Sequence, residues 1–222
     1  MKDFYTSISQ ESEGIFKDRG SKFFASAHPA ETEEQVHALL SNSRKKHPKA
    51  RHHCYAFRLG EKGELSRFND DGEPSGTAGK PILGQLVKQD LTNTVIIVVR
   101  YFGGTKLGVG GLIQAYKSAA ADALENAQTR QSMISDYYQL EMDYAKGSKI
   151  HDEATKLNCK VIEQNFGEQI EVILALPRSV AEESLLILLK RLTGLDFETV
   201  EGYKHGTDIK ISRMSTSDID QR

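Results

Sequence analysis

The 222-residue chain is 38% hydrophobic and 27% charged, the composition of a folded protein rather than a disordered or fibrous one. Its 29 Lys and Arg against 31 Asp and Glu give a net charge of −2, which excludes a strongly cationic nucleic-acid binder but leaves room for a local basic patch. Apolar runs such as Val95 to Val99 fall far short of the ~18–20 residues of a membrane span. The first residues lack the apolar core of a signal peptide, and two cysteines give no disulfide framework, so a soluble, cytoplasmic protein is expected.

In chain order, residues 22–27 read as a strand. Residues 33–46 form a helix with Val36, Leu39 and Leu40 inward and a capping-box match at Thr32 to Gln35. A strand at 53–59 alternates, and 64–69 pairs with it across a glycine-bounded turn. Residues 70–79 make a loop rich in Gly, Pro and acid, with a helix starting near Pro81. The run 94–101 is a strand covered on both faces, followed by a helix at 112–127 whose Leu112, Ala115, Ala119, Ala123 and Leu124 allow close packing.

Apolar periodicity lapses around residues 126–132, and the charge changes there. Residues 1–135 carry 18 basic and 15 acidic side chains, the remainder 11 and 16. Two domains are therefore expected, 1–133 and 134–222. In the second, 138–144 alternates as a strand, and Ile150, Ala154 and Leu157 mark a helix. Strands at 159–166 and 169–176 form a hairpin, and a capping-box match at Ser179 to Glu182 opens a helix that Gly194 stops. With a last strand at 196–201 and a fraying polar tail from about 204, the order is β-α-β-β-α-β, the ferredoxin-like split βαβ. The fold class is α+β in two domains.

Three segments bear on chemistry. Asp70, Asp71 and Glu73 lie in Asp70-Asp71-Gly72-Glu73-Pro74-Ser-Gly76-Thr77, where oxygen ligands for Mg²⁺ compete with a plain turn reading. Whether this loop holds a metal is left open. Arg100-Tyr101-Phe102-Gly103-Gly104-Thr105-Lys106-Leu107-Gly108 joins a buried strand to a helix, where loop amides with Arg100 and Lys106 suited to a phosphate compete evenly with glycines needed only for tight strand–helix packing. No window fits the Walker pattern, and Ile113 breaks the dinucleotide fingerprint, so no nucleotide cofactor is expected. His52, His53 and Cys54 are successive strand residues facing alternate sides and cannot chelate together. No catalytic constellation is present.

The run Val95-Ile-Ile-Val-Val-Arg100-Tyr101-Phe102-Gly103-Gly104-Thr-Lys106-Leu107-Gly108 resembles the signature of the IMPACT family, and Asp71-Gly72-Glu73-Pro74-Ser-Gly76-Thr77-Ala78-Gly79 resembles its second hallmark loop. Ser21-Lys22-Phe23 and His53-Cys54-Tyr-Ala56 fit as well. The resemblance implies a first domain like domain IV of elongation factor G and a ferredoxin-like second domain like its domain V. It also implies a place in translational control. Eukaryotic members inhibit a stress kinase by competing for its activator through an added RWD domain, and nothing of that kind precedes Lys22 here.

The expected function is a non-enzymatic, translation-associated regulator that binds RNA or the ribosome. Phosphate contacts fall to Lys22, Arg58, Arg100, Lys106 and the backbone of Gly103, Gly104 and Gly108, with an internal pair to Asp71 or Glu73 as the alternative for Arg100, and Asp70, Asp71, Glu73 and Thr77 form the adjoining loop surface. A protein partner in translational control is a further expectation, with no membrane contact and no DNA specificity. The alternative is a metal-dependent hydrolase using Asp70, Asp71 and Glu73.

Overall fold

The computed structural model describes residues 3–196, 198–200, 202, 208–215 and 218–219. The chain divides into two compact units: one of residues Phe4–Ser132, the other of Asp3 with the residues from Met133 onward. Both are mixtures of helices and antiparallel sheet.

In the first unit, β1 (Phe4–Ile8) and β7 (Thr129–Met133) pair as a two-stranded ribbon. The main sheet is made of β2 (Ser12–Asp18), β3 (Ser21–Pro29), β4 (His52–Leu59), β5 (Leu65–Asn69) and β6 (Thr94–Tyr101), in the order β2-β3-β6-β4-β5 and antiparallel throughout. Strand β6 lies at its centre. Its Val95, Ile97 and Val99 pack with Val36 and Leu40 of α1 (Glu33–Lys46) on one face. Ile96 and Val98 pack on the other face against α2 (Gly79–Lys88) and α3 (Gly108–Glu125). Burial on both faces explains why β6 reads as an unbroken apolar run rather than an alternating one.

Register decides which residues share an end of this sheet. Arg100 lies opposite Phe23 on β3 and His52 on β4, while Lys22 lies opposite Tyr101. That end therefore collects the β2–β3 turn, the loop after β5, the loop after β6, and the N-termini of α2 and α3. Arg58 pairs with Thr94, at the opposite end.

Strands β1, β2 and β7 were not legible in the sequence. β1 and β7 form only a marginal ribbon, and β2 is an edge strand interrupted by Gly14, whose missing side chain lets it lie against the backbone of Ala123 on α3. Helix α3 starts four residues earlier than expected, because Gly108, Gly110 and Gly111 read as loop yet form its first turn.

In the second unit, β8 (Ser135–Met142), β9 (Lys160–Phe166), β10 (Ile170–Pro177) and β11 (Lys210–Met214) form an antiparallel sheet ordered β11-β8-β10-β9. A turn of helix, α4 (Tyr144–Gly147), and α5 (Ile150–Lys156) lie between β8 and β9, and α6 (Ala181–Thr193) follows β10. Leu140, Val172, Leu174, Leu185 and Leu188 share one core.

Two expectations need correction here. The last strand is Lys210–Met214, from the stretch read as a fraying tail; residues 198–200 are not strand, and 197, 201 and 203–207 lie outside the described residues. An edge strand pairing on one side only needs little apolar alternation, so 210–214 gave a weak signal. The capping box at Ser179 does not form either. Arg178–Val180 is a 3₁₀ turn, and the Ser179 hydroxyl and amide both donate to the Asp3 carboxylate. Gly194, at φ 72°, ends α6 as expected.

Candidate functional site

The acidic loop turns its carboxylates inward, each to a different task. Asp70 accepts hydrogen bonds from the amides of Gly76 (2.8 Å), Ala78 (2.9 Å) and Gly79 (2.8 Å), and so caps α2. Asp71 accepts from Arg44 Nη2 (2.8 Å) and from the His53 amide (2.6 Å). Burial opposes ionisation of Asp71, but these two donors outweigh it and hold the carboxyl below the usual range. Glu73 accepts from Arg100 Nη1 at 2.6 Å and from the Tyr116 hydroxyl at 2.8 Å. Thr77 is buried and donates to the Pro74 carbonyl (2.6 Å), closing the turn.

Around Glu73 the contacts form a buried polar cluster. The Arg100 guanidinium lies 5.5 Å from the centre of the Phe23 ring and 5.6 Å from that of Phe102, and its side chain is only 8% exposed. The Cys54 thiol is 3.0 Å from the Asp70 carbonyl and 3.3 Å from the Tyr116 hydroxyl. Burial pushes both the thiol and the phenol upward, so Cys54 is an unreactive thiol and Tyr116 a permanent donor. His53 is 3% exposed, and neither ring nitrogen has a hydrogen-bond partner among the described residues. Burial, with Arg44 next, lowers its pKa and keeps the ring neutral.

The glycine loop is the opposite case. It is pinned at one point, where Gly103 lies so close to Gly20 and Ser21 that a Cβ would collide with backbone, and its amide donates to Ser21 Oγ (3.1 Å). Beyond Gly103, residues Gly104, Thr105 and Lys106 are exposed, Leu107 is buried as an anchor, and α3 begins. Among the described residues no side chain caps α3. Gly108, Val109 and Gly110, whose amides a helix leaves without internal partners, are exposed in the first turn beside Lys106, and among the described residues no side chain accepts from them. Gly108 needs its glycine, having φ 72°. Gly110 does not: its φ is ordinary and a Cβ there would meet nothing within 4 Å.

The expected phosphate contacts thus divide. Lys22, Lys106, Gly104 and Gly108 are exposed at one end of the sheet, and the Gly103 backbone joins them. Arg100 is corrected out of the set, since its charge is buried against Glu73. Arg58 is corrected out as well. It lies at the other end of the sheet, donating to the Leu91 carbonyl (2.9 Å) and facing Asp90 at 3.8 Å. The hydrolase alternative loses its ligand set, because Asp70, Asp71 and Glu73 are each engaged by separate donors. Among the described residues no three His, Cys, Asp or Glu groups converge on a point.

Sequence reasoning missed Tyr116 and Arg44. Tyr116 follows Leu112 at helical spacing, and a phenol among the alanines of that buried face was the available signal for a hydrogen-bonded partner. Arg44 carried none beyond its place in the last turn of α1.

Comparison with known proteins places these loops in a family. The Impact N-terminal domain model matches residues 19–124, a stretch that contains both loops. The chain is 33% identical to the IMPACT family member YvyE of Bacillus subtilis over 171 residues, 77% of this chain and 79% of that protein. It is 33% identical to YigZ of Escherichia coli over 165 residues, 73% and 81% of the two chains. A crystal structure described as that of a hypothetical protein aligns with 97% of this chain and 100% of its own, at TM-score 0.66 and 25% identity. The chain belongs to the IMPACT family. Among the described residues no helix is long and apolar enough to cross a membrane.

Proposed function

We propose that the protein is a non-enzymatic, cytoplasmic regulator of translation whose first domain, residues 4–132, binds RNA or the ribosome through phosphates. The observation that carries this reading is the N-terminus of α3, uncapped among the described residues. Its free amides, Lys106 before it and Lys22 at the same end of the sheet offer donors and positive charge to a phosphate oxygen. Gly110 supports it further. Glycine inside a helix costs about 1 kcal/mol relative to alanine, and the chain's own packing gives no return for it, whereas the bare backbone lets a nucleic-acid strand approach.

Family membership supports the translational setting, as the resemblance implies for its eukaryotic members, and a protein partner in translational control belongs to the same reading. The first domain is read as a counterpart of domain IV of elongation factor G. Residues 134–222 are read as ferredoxin-like, a counterpart of domain V; the β-α-β-β-α-β order and the strand order β11-β8-β10-β9 support this.

A salt titration of single-stranded RNA binding tests the proposal. Wild-type affinity is expected to fall with a slope near 0.7 per phosphate neutralised on a single strand. Lys22→Ala with Lys106→Ala is expected to weaken binding to all sequences alike and to flatten the slope by about 1–2 units. A folded double variant whose titration overlays the wild type contradicts the reading.

A further inference from the structure

Helix α1 covers β4 and β6 on its face of the main sheet and leaves the β2–β3 half of that face uncovered. Between α1 and those two strands, and around the β2 edge to Asp122 of α3, lies a groove of about 800 Å³, within the range of ligand and peptide sites. Its floor is apolar. Ile15 and Phe24 lie opposite each other in the β2–β3 register, and Ile15 is 42% exposed. Phe24 is held in place by the His47 ring, stacked at 5.9 Å, and by the edge of Tyr101 at 5.8 Å, so its orientation is fixed before anything binds.

The charge along the groove is negative. Glu11, Glu13 and Asp122 line it against one lysine, Lys46, which lies 3.9 Å from Glu13 with its side chain mostly in solvent. Asp122 is occupied by the Ile15 amide (2.7 Å), which leaves Glu11 and Glu13 as the exposed acceptors. His28 stands 3.8 Å from Glu11. Burial lowers its pKa more than the nearby carboxylates raise it, so at neutral pH it does not offset their charge. A phosphate is repelled from such a surface. The groove suits a long apolar stem that carries a planar cation, which lies flat on an aromatic ring and donates to two carboxylates.

We propose that this groove docks an arginine-bearing segment of a partner protein, the arginine side chain lying over Phe24 and Ile15 with its guanidinium directed to Glu11 and Glu13. The proposal is independent of the RNA reading, which uses another surface of opposite charge.

The probe is a fluorescein-labelled peptide of alternating arginine and serine, measured by anisotropy with the full chain. The comparison peptides replace arginine by lysine or by citrulline, which keeps the shape and loses the charge. The wild type is expected to bind arginine over lysine and to lose the citrulline peptide. Glu11→Gln with Glu13→Gln changes two exposed groups and is expected to weaken arginine-peptide binding about tenfold. Phe24→Leu is expected to remove the preference for arginine over lysine, and Lys106→Ala to leave peptide binding unchanged. Equal binding of the citrulline peptide, a folded Glu11/Glu13 double variant that binds as wild type, or no arginine-peptide binding at all overturns the proposal. It is also overturned if that double variant loses single-stranded RNA affinity instead, because the groove then belongs to nucleic acid.

Discussion

Helices α2 and α3 begin at the same end of the same sheet, pack on the same face, and treat their N-termini in opposite ways. The start of α2 is closed, with Asp70 accepting from both Ala78 and Gly79 and from Gly76 beside them. The start of α3 is open, preceded by a lysine and built from three glycines in four residues. A helix N-terminus carries the same dipole and the same unpaired amides in either case. The difference lies in whether the chain supplies its own anion. At α2 it does, so the acidic loop serves the fold. At α3, among the described residues, it does not, and the proposed phosphate contact would use that opening.

The largest effect that sharpens this contrast is expected at Glu73. Glu73→Ala leaves the buried Arg100 charge uncompensated and also removes the Tyr116 acceptor, at a cost of about 3–5 kcal/mol in chemical denaturation. A loss below about 1 kcal/mol means that the cluster does not anchor the loop. Asp70→Ala is expected to cost about 2 kcal/mol through the lost cap, and Asp70→Asn, which keeps an acceptor oxygen, clearly less. Equal costs for the two break the capping account.

The smallest expected effect has opposite signs in two assays. Gly110→Ala adds a side chain that meets nothing in the chain, so denaturation should show a gain of up to about 1 kcal/mol. The same methyl group obstructs the open first turn, and RNA affinity should fall. Higher stability with unchanged affinity removes Gly110 from the binding surface.

The sequence was most readable where one physical cause dominates. The apolar run of β6 and the 3.6-residue spacing in α1, α3 and α6 follow from burial, and Gly194 follows from a left-handed cap. It was least readable where partners come from distant segments. Arg100 and Lys106 look alike as cations beside glycines; an internal pair of Arg100 with Asp71 or Glu73 is foreseeable, but only the fold selects Glu73, joins Tyr116 to that carboxylate, and leaves Lys106 in solvent. Asp70, Asp71 and Glu73 look like a metal cluster for the same reason, since spacing along a turn does not report that each carboxylate points to a different donor. The Phe24 groove had no signal either, because it depends on α1 covering only part of one sheet face.

Backbone amide NMR of the labelled chain, titrated with a short single-stranded RNA, tests the central claim most directly. The amides of Gly108, Val109 and Gly110 are expected to shift progressively with added RNA, while those of Ala78 and Gly79, already held by Asp70, stay in place. Shifts at Ala78 and Gly79 with none at 108–110 contradict the account.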